Sequence, residues 1–161
     1  MTKTNAMRLL DQAKVPYELQ TYPFDEADLS GLHAAEALGM PPAQIFKTLV
    51  TRGERQGIQV FCIPVDANLD LKKAARVSGD KKIAMLPLKE LLGVTGYVRG
   101  GCSPIGMKKR YPAFLDASAL AFDRIGVSAG KRGAQLLLDP QALLTAAAMT
   151  PADLTEHESI D

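Results

Sequence analysis

The fifteen residues from Gly96 to Arg110, GYVRGGCSPIGMKKR, suit neither a regular helix nor a regular strand, and the rest of the chain is organised around them. They hold four glycines, one proline and four cationic side chains. Gly100-Gly101 can adopt backbone angles that other residues avoid and lets a ligand come close to the main chain. Ser103-Pro104 turns the chain, and Lys108-Lys109-Arg110 then places positive charge beside that exposed backbone. Bare amides next to cations suit an anion or an oxyanion. A surface turn followed by a solvated basic patch accounts for the same residues, so both readings stand at this point.

Around this loop the sequence predicts short elements of both kinds. Thr4 can cap a helix over 4–13, with Ala6, Leu9, Leu10 and Ala13 on one face. Tyr17 to Tyr22 alternates as a strand, and 23–28 is an acidic loop. A helix over 31–38 stops at Gly39. Strands at 45–51 and 58–64 form a hairpin over a turn from Gly53 to Gly57. Asp70 caps a helix carrying Leu71, Lys72-Lys73, Ala74 and Ala75, closed by Gly79, and Pro87 opens a short helix over 88–92 ended by Gly93. Further strands are expected at 114–115, 124–127 and 134–138. Asp139-Pro140 starts a helix through Ala148, and Thr150-Pro151 repeats the signal for a last partial turn before an acidic tail over 156–161. Irregularly mixed short strands and helices predict an α+β fold with a mixed sheet or small barrel.

At 161 residues the chain is long enough to bury a core, and 47% hydrophobic with 23% charged residues describes a globular protein. No apolar run reaches membrane-spanning length, and the first residues lack the apolar region of a signal peptide. Cys62 and Cys102 are therefore expected as reduced thiols in a cytoplasmic protein, and no ligand-spaced His or Cys accompanies them. Charge is uneven along the chain. Residues 70–132 carry thirteen Lys/Arg against five Asp/Glu, and the remainder six against thirteen. A basic middle suits a phosphate-rich partner such as RNA, although clustering in sequence need not mean clustering in space.

Lys47 is the sharpest anomaly. Strand alternation puts it on one face with Ile45 and Leu49. An unpaired ammonium is costly to bury, so this lysine must be paired, exposed at a sheet edge, or part of a site. Only His33 and His157 are present, and His157 falls in the tail. Ser103 and Cys102 are possible nucleophiles with no base at a recognised spacing. Ser128 followed by Gly130-Lys131-Arg132-Gly133 makes a second glycine–cation cluster, and Tyr22 and Tyr97 stand at strand ends where they can bond a ligand or simply pack. No phosphate-binding P-loop or dinucleotide fingerprint occurs.

Four motifs in order, Phe46-Lys47-Thr48-Leu49, Asp70-Leu71-Lys72-Lys73, Gly96-Tyr97 with Gly100 to Gly106, and Ser128 to Gly133, make the chain resemble the YbaK/EbsC family nearly end to end. These are free-standing relatives of the editing domain inserted in bacterial prolyl-tRNA synthetases. The resemblance implies one α+β domain over 1–155, with a mostly antiparallel, partly closed sheet. It implies deacylation of a mischarged tRNA, Cys-tRNA(Pro) in one branch and Ala-tRNA(Pro) in another, by hydrolysis or with help from the substrate's own thiol. It assigns catalysis to Lys47, Gly100 and Gly101. Substrate binding falls to Tyr22, Tyr97, Cys102, Ser103, Ser128, Gly130, Lys131 and Gln135. Gln135 stands where some members carry an acid, which bears on how the substrate's amino group is held. The implied partners are the 3′ acceptor end of aminoacyl-tRNA and prolyl-tRNA synthetase, with no membrane, cofactor or metal. A tRNA-binding module without turnover, and a thiol-redox protein built on Cys102, are the competing readings.

Overall fold

The structure, a computed structural model, describes residues 2–156. Each main helix starts where a side chain satisfies its free amides. Thr4 accepts from the Met7 amide ahead of α1 (Asn5–Gln12), Ser30 from that of His33 ahead of α2 (Gly31–Leu38), and Asp70 from those of Lys72 and Lys73 ahead of α3 (Leu71–Ser78). Gly39 and Gly79 end the second and third in left-handed backbone. On α1 the buried face is Ala6, Met7 and Leu10, and Leu9 is left exposed.

Eight strands form two sheets among the described residues: β1 (Glu18–Thr21), β2 (Phe46–Gly53), β3 (Gly57–Pro64), β4 (Ile83–Met85), β5 (Ala113–Asp116), β6 (Ile125–Ser128), β7 (Ala134–Leu138) and β8 (Met149–Ala152). One sheet runs β4-β2-β3-β5-β8 and the other β1-β7-β6. Pairing is antiparallel except at β3–β5 and β5–β8. A single parallel bridge, Ile45 to Gly126, joins the sheets where β2 begins. The expected α+β fold with a mostly antiparallel, partly closed sheet is what forms.

Packing explains why β3 reads as an unbroken apolar run. Val60 and Cys62 face the core shared with α1, β6, β7 and the fifth helix, whereas Phe61 and Ile63 face α3. A strand buried on both faces has no polar alternation to show. Phe61 stacks on Phe114 at 5.3 Å between ring centroids.

Three local expectations are corrected. The short helix after Pro87 runs on as α4 (Leu91–Thr95), passes through Gly93 and stops at the left-handed Gly96. The last full helix, α5 (Pro140–Ala146), ends two residues before Ala148. Thr150-Pro151 starts no helical turn: both lie in β8, at the sheet edge beside β5. An edge strand tolerates proline because one side of it needs no donor. Of the expected acidic tail only Glu156 is described, its amide donating to the Asn68 carbonyl at 3.0 Å; the rest of the tail, His157 included, lies outside the described residues. Among the described residues no helix is long and apolar enough to cross a membrane.

Candidate active site

A cavity of about 100 Å3 opens where the two sheets meet. Its floor is the start of β2, from Ile45 to Thr48, with Val65 beyond β3. Ser30, Gly31 and Ala34 of the α2 turn close one wall, and Gly100 and Cys102 of the glycine-rich loop close another. Tyr22 after β1, Ser128 at the end of β6 and Gln135 in β7 complete it. Six of the sequence-predicted site residues thus converge: Lys47, Gly100, Tyr22, Cys102, Ser128 and Gln135.

Lys47 is in no ion pair among the described residues, and at its own position β2 is paired with β3 through Ile63. Its strand is flanked by β3 and, past its own position, by β4. Burial of the ammonium pulls its pKa below the ordinary lysine range, and the carboxylate of Asp66 partly offsets this. Gln135 is 7% exposed, and its amide oxygen has no hydrogen-bond partner. A buried acceptor left unpaired costs about 1–3 kcal/mol, and the residue that bears it lines the cavity. Burial raises the Tyr22 phenol, against which the side chain of Gln135 acts, so the hydroxyl is protonated and can donate at neutral pH.

The loop amides divide by geometry. The Gly101 amide donates to the Val98 carbonyl at 3.0 Å and is spent on the turn. Those of Gly100 and Cys102 have no acceptor among the described residues and remain for a ligand. Gly100 has φ +85°, which only glycine takes without strain. Gly101 earns its place differently, since a Cβ there would come within 3.1 Å of the Lys131 backbone. Of the expected Gly100-Gly101 pair, only the Gly100 amide is left without an acceptor among the described residues.

Four other predicted residues support the loops instead of lining the cavity. Tyr97 is buried, and its hydroxyl donates to the Ile105 carbonyl. Ser103 is fully buried, with its hydroxyl accepting from the Ile105 amide. The Gly130 amide donates to the Ser128 hydroxyl at 3.2 Å, and Lys131 lies against Gly101. Sequence reasoning missed Ser30, Gly31, Ala34 and Val65. The one available signal was Gly31, a glycine at the first turn of a helix, where a Cβ would meet Val65 at 2.2 Å.

The thiol in the cavity is not an activated nucleophile. Burial pushes the Cys102 thiol up to about 12, so it is neutral at physiological pH. The same burial keeps Cys62 at about 12. A thiol held neutral is slow in thiol–disulfide exchange, which counts against a redox function at Cys102. His33, the only histidine among the described residues, stands edge-on to Tyr22 at 6.4 Å between centroids and does not line the cavity.

A seam between a small and a large sheet, lined by one lysine, free loop amides and an orphaned acceptor, defines a ligand-positioning α+β domain. The chain belongs to the aminoacyl-tRNA editing domain family, whose profile matches residues 31–146. It is 50% identical over 156 residues to EbsC of Enterococcus faecalis, named as a candidate Cys-tRNA(Pro)/Cys-tRNA(Cys) deacylase, covering 97% of this chain and 95% of that one. It is 31% identical over 120 residues to an uncharacterised protein of Bacillus subtilis, YwhH, covering 74% and 76%. A crystal structure of a candidate trans-editing enzyme for prolyl-tRNA synthetase superposes with a TM-score of 0.82 at 27% identity, covering 98% of this chain and all of that one.

Proposed function

We propose that this chain acts in trans on Cys-tRNA(Pro), cleaving the ester between cysteine and the terminal ribose. The observation that carries the reading is the convergence of Lys47, Gly100, Cys102 and Gln135 on one small cavity. An aminoacyl ester brings an ammonium group and an ester carbonyl on one small carbon frame. Gln135 accepts from the ammonium, and the free amides of Gly100 and Cys102 take the charge that develops on the carbonyl oxygen. One such donor is typically worth about 3–4 kcal/mol in the transition state. Lys47 holds the ribose and orients the ester. The cavity, about 100 Å3, has room for a small side chain such as a cysteinyl or alanyl one.

With the Cys102 thiol held neutral and no histidine lining the cavity to activate a hydroxyl, the substrate supplies the nucleophile. The cysteinyl sulfur attacks its own ester carbonyl, a C–S bond forms and the C–O bond to the ribose breaks. The thiol proton passes to the departing ribose oxygen, leaving a cyclic thiolactone and free tRNA. The name carried by the half-identical Enterococcus protein supports cysteine as the substrate. Selection of tRNA(Pro) rests with prolyl-tRNA synthetase as a partner, because a domain of this size presents little surface with which to read a whole tRNA. Its place of action is the cytoplasm, where charged tRNA is made.

Turnover of cysteinyl, seryl and alanyl esters on tRNA(Pro) tests the reading. Cleavage confined to the cysteinyl ester is expected. Equal rates on the seryl ester would remove the substrate-thiol step, preference for the alanyl ester would change the substrate, and tight binding without cleavage would leave a binding module.

A further inference from the structure

Beside the cavity, two loops far apart in sequence meet through an arginine. The Arg132 Nε donates to the Arg99 carbonyl at 2.8 Å, and the Arg132 stem lies against Gly100, which lines the cavity. That bond fixes the plane of the guanidinium and leaves its two terminal nitrogens without a protein acceptor among the described residues. The ion pairs among the described residues engage Lys3, His33, Arg52, Lys73 and Arg124. None engages Arg99, Lys131 or Arg132. A guanidinium held in plane with both outer nitrogens free matches the oxygens of a phosphodiester.

An aromatic surface adjoins it. Phe24 is 46% exposed, and its ring lies over Gly133, the residue after Arg132, where a Cβ would meet Cδ1 at 3.0 Å. Tyr22, two residues before it, lines the cavity and is tied to the same turn through its amide and the Gly133 carbonyl. Two acids in the Phe24 loop are partly engaged within it: Asp25 accepts from the Ala27 amide, and Asp28 accepts from the Ser30 amide and hydroxyl. A fixed phosphate fork next to an open aromatic face is the combination that grips single-stranded nucleic acid, one group for the backbone and one for a base.

We propose that Arg132 and Phe24 form the landing site for the unpaired 3′ end of the RNA, Arg132 holding a phosphodiester and Phe24 stacking a base as the terminal ester enters the cavity. This rests on the deacylase reading for its ligand and extends it to the nucleotides that precede the ester.

The test measures binding of an uncharged RNA hairpin ending in an unpaired ACCA overhang, and of the same hairpin cut blunt, against salt concentration. Because no ester is involved, the result stands apart from whether any ester is cleaved. The wild type should prefer the overhang by at least about tenfold. Arg132→Gln should weaken it about tenfold and reduce the slope of log affinity on log salt by about 0.7, the value for one phosphate of a single strand. Phe24→Ala should cost about five- to tenfold with the slope unchanged, in keeping with the loss of one stacked base. Two changes on the RNA side guard against a variant that simply misfolds. Neutral methylphosphonate links in the overhang should mimic Arg132→Gln, and abasic sugars should mimic Phe24→Ala without adding to it. Equal affinity for the blunt hairpin, or an unchanged salt slope in Arg132→Gln and with the methylphosphonate RNA, would overturn the proposal.

Discussion

Lys47 shows what a single residue can and cannot announce. Its place in an apolar strand flags it from sequence, but the choice between edge, ion pair and site depends on neighbours that no local pattern names. Asp66 is one of these, close enough for its charge to raise the lysine's pKa against the effect of burial. If Lys47 works as a cation, activity falls as pH rises through its lowered pKa. Asp66→Asn removes the opposing charge and lowers that pKa further. The alkaline limb of the rate–pH profile, corrected for spontaneous ester hydrolysis, should therefore move to lower pH in the variant. A limb that stays put would mean another group titrates there. Gln135 was legible only as a departure from its relatives; that its oxygen is orphaned could be seen only once β6 and β7 had packed.

Elements whose caps and stops are local were readable, and those decided by distant partners were not. Thr4, Ser30 and Asp70 mark their helix starts because the side chain that signals the start is the one that accepts the bond. β8 failed because its pairing with β5 overrides the turn chemistry of Thr150-Pro151. The β2–β3 hairpin was visible in its turn glycines, but its anchor was hidden some twenty residues downstream. Asp80 accepts from the amides of Arg55 and Gln56 in the turn, from those of Lys81 and Lys82 behind it, and from the side chain of Gln59. Burial opposes ionisation of Asp80, yet the four amides together hold its carboxyl below the usual range. Its stabilising effect is thus present above the ordinary carboxylate pKa and is lost as pH falls through the lowered one. Asp80→Ala should lower Tm by about 3–6 °C, the scale of a modest local loss in a domain of this size. The deficit should shrink in acid, where the wild-type carboxyl is also neutral. A deficit that is constant with pH would show that the carboxylate is not what ties the hairpin down.

Across the whole molecule the cavity exists because two sheets meet at one bridge, Ile45 to Gly126, and three loops fold over the seam. Sequence placed the glycine-rich loop and the second glycine–cation cluster as separate features. The structure sets Gly101 against Lys131, and Arg99 against Arg132, so the two clusters are one wall. It also disperses part of the basic middle: Lys73 pairs with Asp153 and Arg124 with Glu18, and neither cation lines the cavity. The charge asymmetry was readable, and its partition between ligand-facing and structural cations was not. The account stands on a lysine, two amides and an acceptor acting together on an ester. Single-turnover cleavage of Cys-tRNA(Pro), with Pro-tRNA(Pro) as the correctly charged control, tests this most directly in wild type and Lys47→Ala. The wild type should cleave the cysteinyl ester and spare the prolyl one, and Lys47→Ala should be slower by about 100-fold or more, the scale of losing the orientation of the reacting groups. A Lys47→Ala protein that cleaves Cys-tRNA(Pro) at the wild-type rate, or a wild type that leaves it intact, would contradict the account.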